Sequence, residues 1–227
     1  MTSDNERLER LSIIFDLDGT LIDTAGDLAA AMNAALANDG LSAIPTNAVR
    51  HMVGFGAKAM LREGYKHHGI TPENALIETR LADFLEHYNE HIDDFSRPFP
   101  HAEDALLELQ REGASLAVCT NKRESPAKLL LARLKLDKYF VRIVGGDTAE
   151  QPKPHPAPVL LAAGDTILTN VIFIGDSDTD ISAAQATGVK CIVGTFGYGP
   201  LEQLEESIPT FSDYSVLVSL IRDVASI

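Results

Sequence analysis

Short apolar runs punctuate this chain, and each is followed by a polar or glycine-containing turn and then by residues with helical periodicity. The runs are Leu11–Phe15, Ser115–Cys119, Val171–Ile174 and Cys191–Val193, with Val141–Val144 as a further candidate. Runs of this length bounded by turn residues read as strands buried on both faces. Helical patterns cover Ala102–Glu112, Pro126–Leu136, Pro156–Ala163 and Asp178–Thr187, and Tyr214–Val224 reads as a closing helix. Gly113 and Gly188 each stand just past such a segment, where a helix C-terminal glycine belongs. Alternation of this kind predicts an α/β fold, a Rossmann-like doubly wound parallel sheet with helices on both faces.

The stretch between the first two strands breaks the alternation. From about Thr24 to Ile92 the periodicity is helical throughout, in Ala25–Ala37, Lys58–His67 and Glu73–His91. Gly40 is a stop for the first of these, and Thr46 is a candidate cap for a helix after it. A crossover between parallel strands needs only about a dozen residues. The excess predicts a helical insertion, a cap at 23–95, with 1–22 and 96–227 forming the core. The expected return linker is Phe95–Pro100, where Pro98 and Pro100 interrupt helix.

Composition narrows the partners. A formal net charge of -14 argues against nucleic acid or an anionic membrane as the main partner, because both select basic patches. It does not exclude an anionic small molecule, since a cation and a positioned lysine reverse the field locally. No run approaches the ~18 apolar residues of a membrane span. Met1–Arg10 is polar and lacks the apolar stretch of a signal peptide, so a cytoplasmic protein is expected, as monomer or homodimer. Cys119 and Cys191 both fall in strand candidates and read as buried free thiols.

In an open parallel sheet the site forms at the carboxyl ends of the strands. After the first strand come Asp16, Asp18, Gly19 and Thr20. A polar turn accounts for these residues, yet two carboxylates crowded at the end of a buried strand also ask for a compensating charge. After Val171–Ile174 come Asp176, Asp178 and Asp180, of which Asp178 reads as a helix cap. A hard divalent cation gives both acidic clusters one explanation, and Mg²⁺ fits better than calcium because no long ligand-rich loop is visible. After Ser115–Cys119 come Thr120, Asn121 and Lys122, suited to holding an anion or simply to capping a helix. Lys153 is flanked by Pro152 and Pro154, which restrict its backbone. His87 and His91 are spaced for a metal pair, but without a third ligand they read as surface positions.

Taken in order, Asp16-Leu17-Asp18-Gly19-Thr20-Leu21, Thr120-Asn121, Lys153 and Gly175 to Asp180 resemble the four motifs of the haloacid dehalogenase-like hydrolases. Asp23–Leu28, Val53–Gly56 and Lys153–Pro158 look like the phosphoglycolate phosphatase subfamily. Gly26, Phe55, Arg123 and His101 depart from that subfamily's usual residues. The resemblance implies a Mg²⁺-dependent phosphatase acting on a small phosphorylated metabolite such as 2-phosphoglycolate through an aspartyl-phosphate. Asp16 is then the nucleophile and Asp18 the acid/base. The metal is expected on the Asp16 carboxylate, the Asp18 carbonyl and Asp176, with Asp180 behind them. Thr120, Asn121 and Lys153 are expected on phosphate oxygens, and Gly54, Phe55 and Gly56 on the substrate from the cap. A dehalogenase, a sugar phosphomutase and a phosphatase for other sugar phosphates or nucleotides are alternatives within the superfamily. A receiver domain that is phosphorylated without turnover is the alternative outside it.

Overall fold

The computed structural model describes residues 8–225, so the first part of the polar Met1–Arg10 segment lies outside the described residues. The centre is a six-stranded parallel sheet in the order β5-β4-β1-β6-β7-β8. Its strands are β1 (Ser12–Phe15), β4 (Ser115–Cys119), β5 (Arg142–Val144), β6 (Val171–Gly175), β7 (Lys190–Gly194) and β8 (Thr210–Phe211). Every position of β1 and β6 is buried. The reason is a core on each face. Ile13, Phe15, Leu116, Val118, Ile172 and Ile174 share one cluster with Leu106, Leu109, Leu130 and Ile221, from helices described below. Ile14, Ala117, Cys119 and Phe173 share the other with Val159, Ala162, Ala183 and Ala184. Alternate strand positions therefore serve opposite faces, as the pleat requires. No helix of the described residues is long and apolar enough to cross a membrane.

The covering helices are α5 (Ala102–Arg111), α6 (Glu124–Arg133), α7 (Ala157–Ala163), α8 (Asp178–Thr187) and α9 (Leu217–Ala225). Helix α6 starts at Glu124, earlier than its sequence pattern suggests, because Pro126 fits inside a first turn where no intrahelical donor is needed. Asp178 is not a cap. Ser177 caps α8 and exchanges capping-box hydrogen bonds with Asp180. The Asp178 carboxylate instead accepts from the N–H groups of Glu202 and Gln203 and pins that loop. Likewise Pro45, not Thr46, occupies the cap position of α2 (Thr46–Val49). Cys119 is buried, but Cys191 is only partly so. His101, one of the departures, precedes α5 with a left-handed φ of 63°, which explains why glycine suits this position.

The insertion holds α1 (Ala25–Ala37), α2, α3 (Ala57–His67) and α4 (Asn74–Glu90). Alanines at 25, 29, 31 and 35 are buried on α1, and their small size lets α4 pack closely along it. Within the expected linker lies a strand the sequence did not show: β2 (Ile22–Asp23) pairs antiparallel with β3 (Arg97–Pro98). This two-stranded ribbon joins insertion to core. Asp27 braces it, accepting from the N–H groups of Phe95 and Ser96 at 2.9 and 2.8 Å and from the Ser96 hydroxyl at 2.6 Å.

Candidate active site

Strand order reverses at β1, which has β4 on one side and β6 on the other, so a crevice opens at their carboxyl ends. The residues that follow these three strands, Asp16, Thr120 and Asp176, are all buried. Asp16, Asp176 and Asp180 bring carboxylate oxygens within 4.8 Å of one another. Lys153 lies among them, its ammonium 2.9 Å from Asp16 Oδ1 and 2.7 Å from Asp180 Oδ1. The peptide bond between Lys153 and Pro154 is cis.

The carboxylates differ in what occupies them. Asp180 is fully engaged: Oδ1 accepts from Lys153, and Oδ2 accepts from the N–H groups of Asp176 and Ser177 and from the Ser177 hydroxyl. Asp176 accepts from the Thr20 hydroxyl at 2.6 Å and the Tyr198 N–H at 2.7 Å. Asp16 Oδ1 is buried, and although Lys153 stands close it has no hydrogen bond. Burial, then the charges of Asp180 and Asp176, push the Asp16 carboxyl far above the usual carboxylate range against the pull of Lys153. Burial and Asp180 raise Asp176 as well. These are the marks of a hard-cation site: oxygen donors, an unbonded buried carboxylate oxygen and a charge that stays costly until a cation balances it. Asp16, Asp176 and Asp180 together form a cluster that could hold a metal ion, and Asp180 bonds both Lys153 and the turn at Asp176–Ser177.

The backbone closes tightly around this cluster. A Cβ on Gly197 would lie 2.2 Å from Asp176 Cβ, and one on Gly19 2.5 Å from its Oδ2. Gly19 also has φ +83°, unfavourable for a side chain. Between them Tyr198 links core and insertion: its hydroxyl donates to Asp23 Oδ1 at 2.5 Å and accepts from the Thr24 N–H at 2.7 Å.

Above the cluster is a cleft with a cavity volume of about 70 Å³, lined by Asp16, Asp18, Thr120, Asn121 and Lys122 from the core and by Val53, Gly54, Gly56, Met60 and Tyr88 from the insertion. Phe55, expected to face substrate, is 59% exposed and lies outside this lining. Asn121 is occupied differently from expectation. Its amide donates to the carbonyls of Gly54 and Lys153, and its oxygen accepts from the Lys153 N–H. It clasps insertion, lysine loop and core together, leaving no free side-chain donor for phosphate. Thr120 Oγ1 accepts from the Lys122 N–H and keeps its own proton to donate. Asp18 is paired with Lys122 at 2.9 Å. Tyr88 and Tyr198 were not singled out from sequence, whereas Thr20 and Lys122 lie within the two turns that were.

This architecture has a counterpart among known proteins. Residues 13–193 match the family model described as haloacid dehalogenase-like hydrolase, and the chain belongs to that family. It is 37% identical over 208 residues to a phosphoglycolate phosphatase of Neisseria meningitidis serogroup A, covering 90% of this chain and 88% of that protein. It is 38% identical to phosphoglycolate phosphatase 1 of Pseudomonas aeruginosa, covering 90% of this chain and 76% of that one. The crystal structure of a predicted phosphoglycolate phosphatase from Haemophilus somnus superposes with a TM-score of 0.84 at 30% identity, over 93% of this chain and 97% of the other.

Proposed function

We propose that this chain is a Mg²⁺-dependent phosphatase that hydrolyses 2-phosphoglycolate through an aspartyl-phosphate on Asp16. The observation that carries the reading is the buried Asp16 carboxylate at the floor of the cleft, clustered with Asp176 and Asp180 and paired with the Lys153 ammonium at 2.9 Å. A carboxylate held there is placed to attack phosphorus. As the ester bond breaks, Asp18 gives its proton to the leaving oxygen. In the second half, Asp18 takes a proton from the water that opens the aspartyl-phosphate. Lys153 and the Thr120 hydroxyl face the phosphoryl oxygens. Mg²⁺ would be held by Asp16 and Asp176, together with the Asp18 carbonyl expected from the motif, and would neutralise charge on the transferring group. A small cavity and relatives named phosphoglycolate phosphatase at 37–38% identity support a small substrate of that kind. We place the moving cap at residues 23–95, rooted in the β2–β3 ribbon. A cytoplasmic setting and a monomeric or homodimeric state belong to the same proposal.

The test is a panel of 2-phosphoglycolate, sugar phosphates and nucleoside monophosphates, assayed with Mg²⁺ and with EDTA. 2-Phosphoglycolate should show the highest kcat/KM, and EDTA should stop turnover. Asp16→Asn should abolish phosphate release with the circular dichroism spectrum intact. A low rank for 2-phosphoglycolate removes the substrate assignment, and retained turnover in the variant removes the nucleophile.

A further inference from the structure

One polar pair in the cleft has a geometry that the chemistry above leaves unexplained. Tyr88, on α4 of the insertion, is only 2% exposed, yet its hydroxyl has no hydrogen-bond partner. The Lys122 ammonium lies 4.5 Å from the centre of the Tyr88 ring and donates to both oxygens of Asp18, at 2.9 and 3.1 Å. Both residues line the cleft beside Asp16 and Asp18. A buried hydroxyl without a partner is destabilising, and phenylalanine would fill the same space without that cost. The charge balance points the same way. Lys153 is committed to Asp16 and Asp180. Arg123 reaches the rim, but its side chain is 60% exposed and paired with Asp147. Lys122 is thus a second buried cation lining the cleft, paired with Asp18 alone. The ammonium lies over the Tyr88 ring and pairs with Asp18, so Tyr88 and Lys122 form one polar unit beside that carboxylate. Asp18 is the residue that must touch the leaving oxygen, so a group beside Asp18 lies beside the departing alcohol.

We propose that Tyr88 and Lys122 form the leaving-group subsite, a specificity-determining pair that binds a carboxylate on the departing alcohol. This rests on the phosphoglycolate reading and names the residues that enforce it. The Tyr88 hydroxyl and the Lys122 ammonium meet the carboxylate oxygens, and the insertion supplies one side of the grip. Phosphomonoesters whose alcohol lacks an anionic group leave both donors unmet, which is how a site built around hydrogen bonds rejects analogues.

The test compares 2-phosphoglycolate with ethyl phosphate, which lacks the carboxylate. Wild type should prefer 2-phosphoglycolate, and Tyr88→Phe should lower the ratio of the two kcat/KM values about tenfold, chiefly through KM for 2-phosphoglycolate. The ligand-free variant should melt at the wild-type temperature or above it, since an unpartnered hydroxyl is removed. An unchanged ratio overturns the subsite. A wild type that does not discriminate overturns the substrate reading itself, before any variant is made. A second measurement needs no variant: glycolate should compete with ethyl phosphate at least about tenfold better than ethylene glycol does, and equal inhibition overturns the proposal.

Discussion

The parallel sheet and the helical insertion use the same charged residues to opposite ends. At the sheet's carboxyl edge Asp16, Asp176, Asp180 and Lys153 are buried, and burial pushes the Asp16 and Asp176 carboxyls toward their protonated forms. On the insertion the charges lie at the surface. Arg80 bridges Asp39 and Asp83, Lys58 meets Glu78, and Lys66 meets Glu63. Buried charges hold reactivity at a cost in stability, whereas exposed pairs contribute little to either. The two regions should therefore answer the same perturbations differently.

Lys153→Met gives the largest expected effect. It leaves Asp16 and Asp180 buried without their shared cation, so urea denaturation should show a loss of about 3–5 kcal/mol and phosphate release should fall to background. A variant as stable as wild type would break the contrast between the regions. Next comes pH in metal-free protein. Asp16 is pushed up to about 8 and Asp176 to about 6. A raised folded-state value means the stabilising form is the protonated one. The associated stability is complete below the ordinary carboxylate range and is lost as pH rises through about 6 and about 8. Thermal melts in EDTA should therefore fall by several degrees from pH 5 to pH 9, and Mg²⁺ should flatten the curve. Asp27→Ala tests the ribbon: it orphans two N–H groups and a hydroxyl, and should cost about 2–3 kcal/mol in urea. The smallest effect belongs to Arg80→Met, about 1 kcal/mol or less at neutral pH. Arg80 and Tyr65 hold Asp39 down at about 2, so that contribution is present above the ordinary carboxylate value and is lost as pH falls through about 2. In the variant this acid-limb sensitivity should disappear from melts between pH 4 and pH 2.

The sheet was legible in sequence because local residues decide it. Ser12–Phe15 and Val171–Ile174 are apolar runs buried along their whole length, and the carboxylates follow them directly in the chain. β8 escaped notice because Thr210–Phe211 is too short for any pattern. The ribbon escaped because Pro98 argues against a strand, although a two-residue edge pairing tolerates it. The motif residues Asp16, Thr120, Lys153 and Asp176 come together at one crevice as expected. What was hidden is their partners. Tyr198 reaches Thr24 across 174 positions, and Asn121 reaches Gly54 across 67, distances over which spacing carries no information. Nor does an i, i+3 or i, i+4 pattern on α4 distinguish Tyr88, which lines the cleft, from Phe84, which does not, since both pack in one core cluster.

The crowding of Gly19 and Gly197 against Asp176 bears on how such a protein can diversify. Along that wall there is no side chain to exchange and no room to add one, so point mutation has almost nothing to work with. The opposite wall is built of Val53, Met60 and Tyr88, each a position where size and polarity are open to change. New substrate preferences therefore have their widest route through the insertion, with Lys122 the core position that shares it, while the phosphoryl chemistry beneath stays as inherited.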